Sequence, residues 1–209
     1  VKVGHYLRAD GFVTSMRDAK TVAVVYQTDG KHGKAVALAD CEGRYVFTNS
    51  DIPKGREFPT VDGSRREGVL NPGPNEDVAD AYKIIWTPKM PYNEKCAIGC
   101  TDGAALTHSL VVRSRNVDGL RGLKHEAMLT EAERHPGAYV PSLGELVRLY
   151  YMVKQRKVEL PELVPLEGEY LTSCENGNYY YMIDFSTGII ASTLSKQYGA
   201  AQLRLFYQF

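Results

Sequence analysis

Apolar and polar residues follow two different periods along this chain, and the switches between them divide it into elements. Val1, Val3 and His5 alternate with Lys2, Gly4 and Tyr6, and Asp10-Gly11 marks a turn into Phe12-Val13-Thr14. This predicts an N-terminal hairpin. Thr21 to Thr28 is a run of Thr, Val, Ala and Tyr suited to a buried strand. Asp29-Gly30 and His32-Gly33 turn it back into Lys34 to Ala39, giving a second hairpin. His5 reads as a half-buried structural side chain, His32 as turn surface and Gly33 as a position that needs backbone freedom.

Residues 40 to 93 lose this regularity. Pro53, Pro59, Pro72, Pro74, Pro88 and Pro91 break any period, so the stretch predicts loops with short strands, of which Lys83-Ile84-Ile85-Trp86 is the best candidate. Arg56, Arg65 and Arg66 interleave with Glu57 and Glu67, the mark of a solvated surface. Helical spacing begins after Asp102, a suitable N-cap, and returns over Lys124 to Arg134 until His135-Pro136-Gly137 ends it. A third helix starts at Ser142, where Ser142 and Glu145 have the spacing of a capping box and Leu143, Leu146, Val147 and Tyr150 share one face. Tyr179 to Phe185, Gly188 to Leu194 and Gln202 to Phe209 then read as antiparallel strands.

Composition narrows the possibilities. With 209 residues, 44% of them hydrophobic, the chain can bury a sizeable core, and we expect a single domain over residues 1–209. Within it, residues 1–40 supply hairpins, 41–100 a loop-rich insertion, and 101–209 the helices and C-terminal strands. Lys plus Arg and Asp plus Glu are both 25, so no net field attracts nucleic acid or an anionic membrane. No stretch approaches the ~18 apolar residues of a membrane span. Cys96 and Cys100 have three residues between them, without a second pair or a histidine at zinc-ligand spacing, which leaves a disulfide or buried free thiols.

Several of these stretches carry a resemblance. Pro141-Ser142-Leu143-Gly144-Glu145-Leu146, Tyr170-Leu171-Thr172-Ser173-Cys174-Glu175, Asp184-Phe185-Ser186-Thr187-Gly188 and Leu203-Arg204-Leu205-Phe206 follow one another as in bacterial domains of C-type-lectin-like fold. Val3-Gly4-His5-Tyr6, His32-Gly33 before Ala35 to Leu38, and Asp102-Gly103 with Thr107 match the same families more loosely. The chain resembles the major-paralogous-domain surface lipoproteins of gut-type anaerobes and the variable proteins of diversity-generating retroelements. Leu171 stands where those families have tryptophan. The resemblance implies an α+β, C-type-lectin-like fold with two helices packed on small antiparallel sheets, first and last strands paired, and long irregular loops. It also implies an exported protein at the cell surface or outside the cell; the chain begins at Val1, and a removed signal or lipid anchor is expected.

The chemistry points away from catalysis. Nucleophile elbow, phosphate loop, dinucleotide fingerprint, paired-histidine metal helix and EF-hand are absent by spelling, as are the calcium-binding triplets of true C-type lectins. Formylglycine-generating oxidases share the fold and form the alternative, but they need a cysteine pair where this C-terminal half has only Cys174. Glu175 to Tyr181 instead mixes tyrosines with amides, the composition of binding loops. Through the retroelement resemblance the ligand face comprises Asn176, Asn178, Tyr180, Ser192, Lys196, Gln197 and Tyr198. The expected function is a non-enzymatic recognition or adhesion module of a bacterial cell or phage surface, with a glycan or protein ligand and without metal or cofactor.

Overall fold

The computed structural model describes residues 1–47, 99–116, 127–176, 179–195 and 199–209. Most of the loop-rich insertion, including the strand expected at Lys83 to Trp86, lies outside them.

The fold builds outward from β3 (Thr21–Thr28), whose alternation feeds two cores at once. Val24 and Tyr26 face a large cluster that also holds Val36, Leu146, Tyr170 and Phe206. Ala23 and Val25 face a smaller one with Leu7, Ala35 and Tyr207. β1 (Tyr6–Arg8) and β2 (Val13–Thr14) form the first hairpin, and β3 returns into β4 (Gly33–Ala37) as the second. The second hairpin follows the sequence pattern; the first keeps its turn around Asp10-Gly11, but its leading strand begins only at Tyr6, and Val1 to His5, where alternation placed it, form no strand. β5 (Tyr45–Val46), β6 (Ala138–Tyr139) and the last strands β10 (Ala200–Ala201) and β11 (Phe206–Gln208) complete the N-terminal side.

One sheet of six strands runs β2-β1-β3-β4-β11-β6, all antiparallel. The first and last strands therefore share a sheet but are not paired, correcting the expectation that Val1 to Tyr6 would lie beside the final strand. The reason is competition for one edge: β11 sets Phe206 opposite Val36 and Tyr207 opposite Ala35. Gly33 and Phe209 then exchange backbone hydrogen bonds of 3.0 and 3.1 Å. Gly33 is needed here for close approach rather than for a left-handed backbone, since a Cβ would run into the Gln27 carbonyl and the Phe209 ring.

A second, three-stranded sheet holds β7 (Glu169–Asn176), β8 (Tyr179–Asp184) and β9 (Ile190–Ser195) in sequence order. The expectation of strands at Tyr179 and Gly188 holds; β7 is an addition to it. The turn between β8 and β9 needs Gly188, which has φ +79° and lies against the Tyr150 ring. The chain is thus a mixed α+β domain of antiparallel sheets with few helices.

Helix α1 (Gly103–Asn116) starts as expected, Asp102 Oδ1 accepting from the Ala105 amide at 3.0 Å. Helix α2 (Met128–Arg134) buries Met128, Leu129, Glu131 and Ala132. In helix α3 (Leu143–Tyr150) the capping box is complete: Ser142 Oγ accepts from the Glu145 amide, and Glu145 Oε2 accepts from the Ser142 amide at 2.8 Å. The Glu145 carboxylate does more than cap. Buried to 2% exposure, it also accepts from the Gly103 amide at 3.1 Å, from the Tyr139 hydroxyl at 2.8 Å and from Lys34 Nζ. It so binds the starts of α1 and α3 to β4 and β6. The last turn after α3, Tyr151 to Gln155, widens to a π-helix.

The fold also buries a cation. Arg204, with no exposed side-chain surface, donates through Nε to Asp40 Oδ1 at 2.5 Å and through its remaining nitrogens to the carbonyls of Ala37, Leu38 and Val164 at 3.0–3.2 Å. Asp40 accepts a further bond from the Tyr170 hydroxyl at 2.9 Å. Stranding a buried charge costs far more than trimming a surface pair, so Asp40→Ala should destabilise the domain by about 3–5 kcal/mol. Urea denaturation followed by circular dichroism measures this, and an unmoved midpoint would show the guanidinium to be satisfied by carbonyls alone. Ser142→Ala should cost roughly 0.5–2 kcal/mol in the same assay.

Candidate functional site

The three-stranded sheet carries the residues that the sequence marks for ligand binding. β7 ends at Asn176, which faces Tyr179 across the first turn, and Tyr179 in turn faces Ser195, the last residue of β9. One end of the sheet thus gathers the three chain positions from which the predicted binding segments leave. Asn178, Lys196, Gln197 and Tyr198 themselves lie outside the described residues. Ser192 sits within β9, nearer the middle of the sheet than its end.

Tyr180 does not belong to this face. Its side chain is fully buried, stacked on Phe47 with ring centroids 5.8 Å apart and donating to the Gly199 carbonyl at 3.0 Å. Tyr181 is equally buried on the other side of the sheet, among Leu146, Tyr170 and Ile183. Alternation along β8 does send neighbours to opposite faces, but both faces are covered, so each tyrosine serves a core. Burial, followed by the nearby Glu169 charge, raises the Tyr180 phenol above its ordinary pKa.

The motif that precedes the predicted face is structural too. Thr172 Oγ1 donates to the Tyr181 carbonyl at 2.6 Å and accepts from the Cys174 amide at 3.2 Å, shaping an irregular register in β7. Ser173 donates twice to the Pro141 carbonyl, from its amide at 2.8 Å and its hydroxyl at 3.2 Å. Cys174 Sγ accepts from the Leu143 amide at 3.3 Å. Two of the stretches that carry the family resemblance therefore meet in one buried joint between β7 and the start of α3.

Cys100 and Cys174 are buried free thiols that perturb one another, which lowers the Cys100 thiol and raises the Cys174 thiol from their ordinary pKa. Cys96 lies outside the described residues, and with it the question of a Cys96–Cys100 bond. His5 is half-buried and His32 exposed, as the sequence reading placed them. Open hollows occur among the described residues, and two of them concern residues named above or apolar side chains. One, of about 530 Å³, lies beside Asp29, His32 and Lys34, but Asp29 is occupied in accepting the Lys31 and His32 amides of its own turn. The other, of about 410 Å³, is lined by Val153, Leu160, Pro161 and Leu166.

Among the described residues, one group could converge on a cation: Cys41, Glu131 and His135, whose donor atoms all lie within 4.8 Å of one another. Burial, then the charges of Glu131 and Asp40, push the Cys41 thiol up to about 12. Sequence reading passed over this group. Glu131 and His135 are four apart on a predicted helix, a visible signal, but nothing local reveals that Cys41 reaches them.

No protein-family model and no curated protein matches the chain. Its fold does have a likeness among solved structures: a fimbrial protein from Bacteroides ovatus ATCC 8483 superposes with a TM-score of 0.60 at 15% identity. The match covers 100% of this chain and 49% of that one, so the chain spans about half the fimbrial protein's length. The likeness is one of fold, at the level of a mixed α+β domain.

The reassignment of Tyr180 can be checked by stability. Tyr180→Ala should lower it by about 3–5 kcal/mol, as for other large aromatic deletions from a core. Tyr180→Phe, which loses only the bond to Gly199, should cost about 0.5–1.5 kcal/mol. A folded, undiminished Tyr180→Ala variant would return the residue to the surface.

Proposed function

We propose that this chain is a non-enzymatic recognition or adhesion module displayed on a bacterial surface. The observation that carries this reading is the whole-chain likeness of fold to a fimbrial protein. Two features support it. The end of the β7-β8-β9 sheet offers two adjacent connections whose sequences, Gly177-Asn178 and Lys196-Gln197-Tyr198, combine amide, ammonium and phenol groups. These leave a sheet in which Leu171, Tyr180, Tyr181 and Ile183 are committed to the core, and loops on a rigid sheet can change their contacts without unfolding it. No described helix is long and apolar enough to cross a membrane.

We read the C-terminal half as lectin-like in the finer sense as well, on the joint between the Ser142–Glu145 capping box and Thr172-Ser173-Cys174. The ligand class is a surface glycan or protein. Oxidase chemistry on the same fold is the alternative, and the absence of oxygen consumption with thiol substrates would separate the two.

A glycan and cell-surface binding screen with the purified chain supplies the probe. Against a ligand so found, replacing Lys196, Gln197 and Tyr198 together by alanine should weaken binding more than about tenfold, roughly 1.4 kcal/mol, with an unchanged melting temperature. A calcium chelator should have no effect. Undiminished affinity in the folded triple variant would place recognition elsewhere on the molecule.

A further inference from the structure

We propose that Cys41, Glu131 and His135 form a binding site for a thiophilic divalent cation of the zinc class. The site is remote in sequence and role from the recognition face, and the inference does not rest on that reading.

The three donors come from two separately anchored pieces of backbone. Cys41 follows β4, and its amide donates to the Leu203 carbonyl at 2.9 Å, fixing the residue beside the Asp40–Arg204 pair. Glu131 lies within α2 and His135 is its C-cap, held by a bond from its own amide to the Ala132 carbonyl at 3.1 Å. Helix and loop are docked to one another at a further point, where Ala127 bridges to Val46. Neither side has to fold around an ion to bring the donors together.

Orientation favours coordination. Glu131 is buried, and Arg134 Nη1 holds its Oε2 at 2.9 Å, which turns Oε1 toward His135 Nε2 at 3.0 Å. That separation is close to the spacing of two ligands on one tetrahedral ion, given bonds of about 2.0–2.2 Å from zinc to nitrogen and oxygen. All three donor atoms lie within 4.8 Å, so a small rotation of Cys41 completes the set. The cation would replace the His135–Glu131 hydrogen bond, and the Cys41 thiol would release one proton to solvent as the metal–sulfur bond forms. Thiolate and carboxylate together balance a divalent ion, while the Arg134 charge opposes it from the far oxygen.

The donor types select the ion. A thiolate, an imidazole and one carboxylate suit zinc or cobalt, whereas calcium and magnesium take oxygen shells. Three protein ligands leave a fourth position open to water or to a donor from another molecule. His135 is exposed, so that position faces solvent.

The test uses the full chain, reduced and stripped of metal, titrated with cobalt(II) and then with zinc. One cobalt per chain should bind, with the absorption of a tetrahedral ion and a thiolate-to-metal charge-transfer band, and zinc should displace it. Cys41→Ser should abolish the charge-transfer band. His135→Gln, at an exposed position whose replacement spares the core, should weaken binding about tenfold or more. Failure to bind cobalt, an octahedral spectrum without charge transfer, or a band unchanged by Cys41→Ser would each overturn the proposal.

Discussion

The guanidinium of Arg204 is the constraint on which the C-terminal half depends. An arginine withdrawn wholly from water must recover its hydration from fixed groups, and each unmet N–H would cost as much as a lost buried hydrogen bond. Asp40 and three carbonyls meet that need here. Because the acceptors lie at positions 37, 38, 40 and 164, the chain cannot satisfy Arg204 without bringing the end of β4, the proline-containing loop and the run into β11 together. Tyr170, bonded to the free side of Asp40, adds β7. One side chain therefore fixes how the two sheets meet.

Glu145 plays the complementary part with the opposite charge. Its oxygens collect donors from Ser142, Gly103, Tyr139 and Lys34, so the beginnings of α1 and α3 are held against the large sheet. A hydrophobic seam alone would let these elements slide, since apolar contact is non-directional. Two buried charges with directional partners remove that freedom. Burial and the adjacent Glu145 charge hold the Tyr139 phenol protonated, so it keeps donating into the network.

What the sequence revealed follows from the range of the interaction involved. The hairpins at β1–β2 and β3–β4, the Asp102 cap and the Ser142–Glu145 box all join residues a few positions apart, and local spelling carried them. The misplaced first strand was a question of which distant partner wins the β11 edge, which period-two alternation does not encode. Tyr180 failed for a related reason. Alternation told that Tyr180 and Tyr181 face opposite ways, and only the packing of Phe47 on one side and Leu146 on the other showed that neither way leads to solvent. Arg204 meets partners 40 to 167 residues away, and Cys41 meets Glu131 and His135 from far along the chain, beyond any local pattern.

The burial of the resembling motifs bears on what such a resemblance can mean. Thr172, Ser173 and Cys174 form the joint between β7 and α3, and Ser142 with Glu145 anchors its other half. Residues under that constraint record the scaffold, because changing any of them disturbs bonds between distant elements. Those bonds are all internal to the scaffold, and none of them specifies a ligand. A fold can consequently be shared with a fimbrial protein at 15% identity while the contacts that choose a ligand diverge freely.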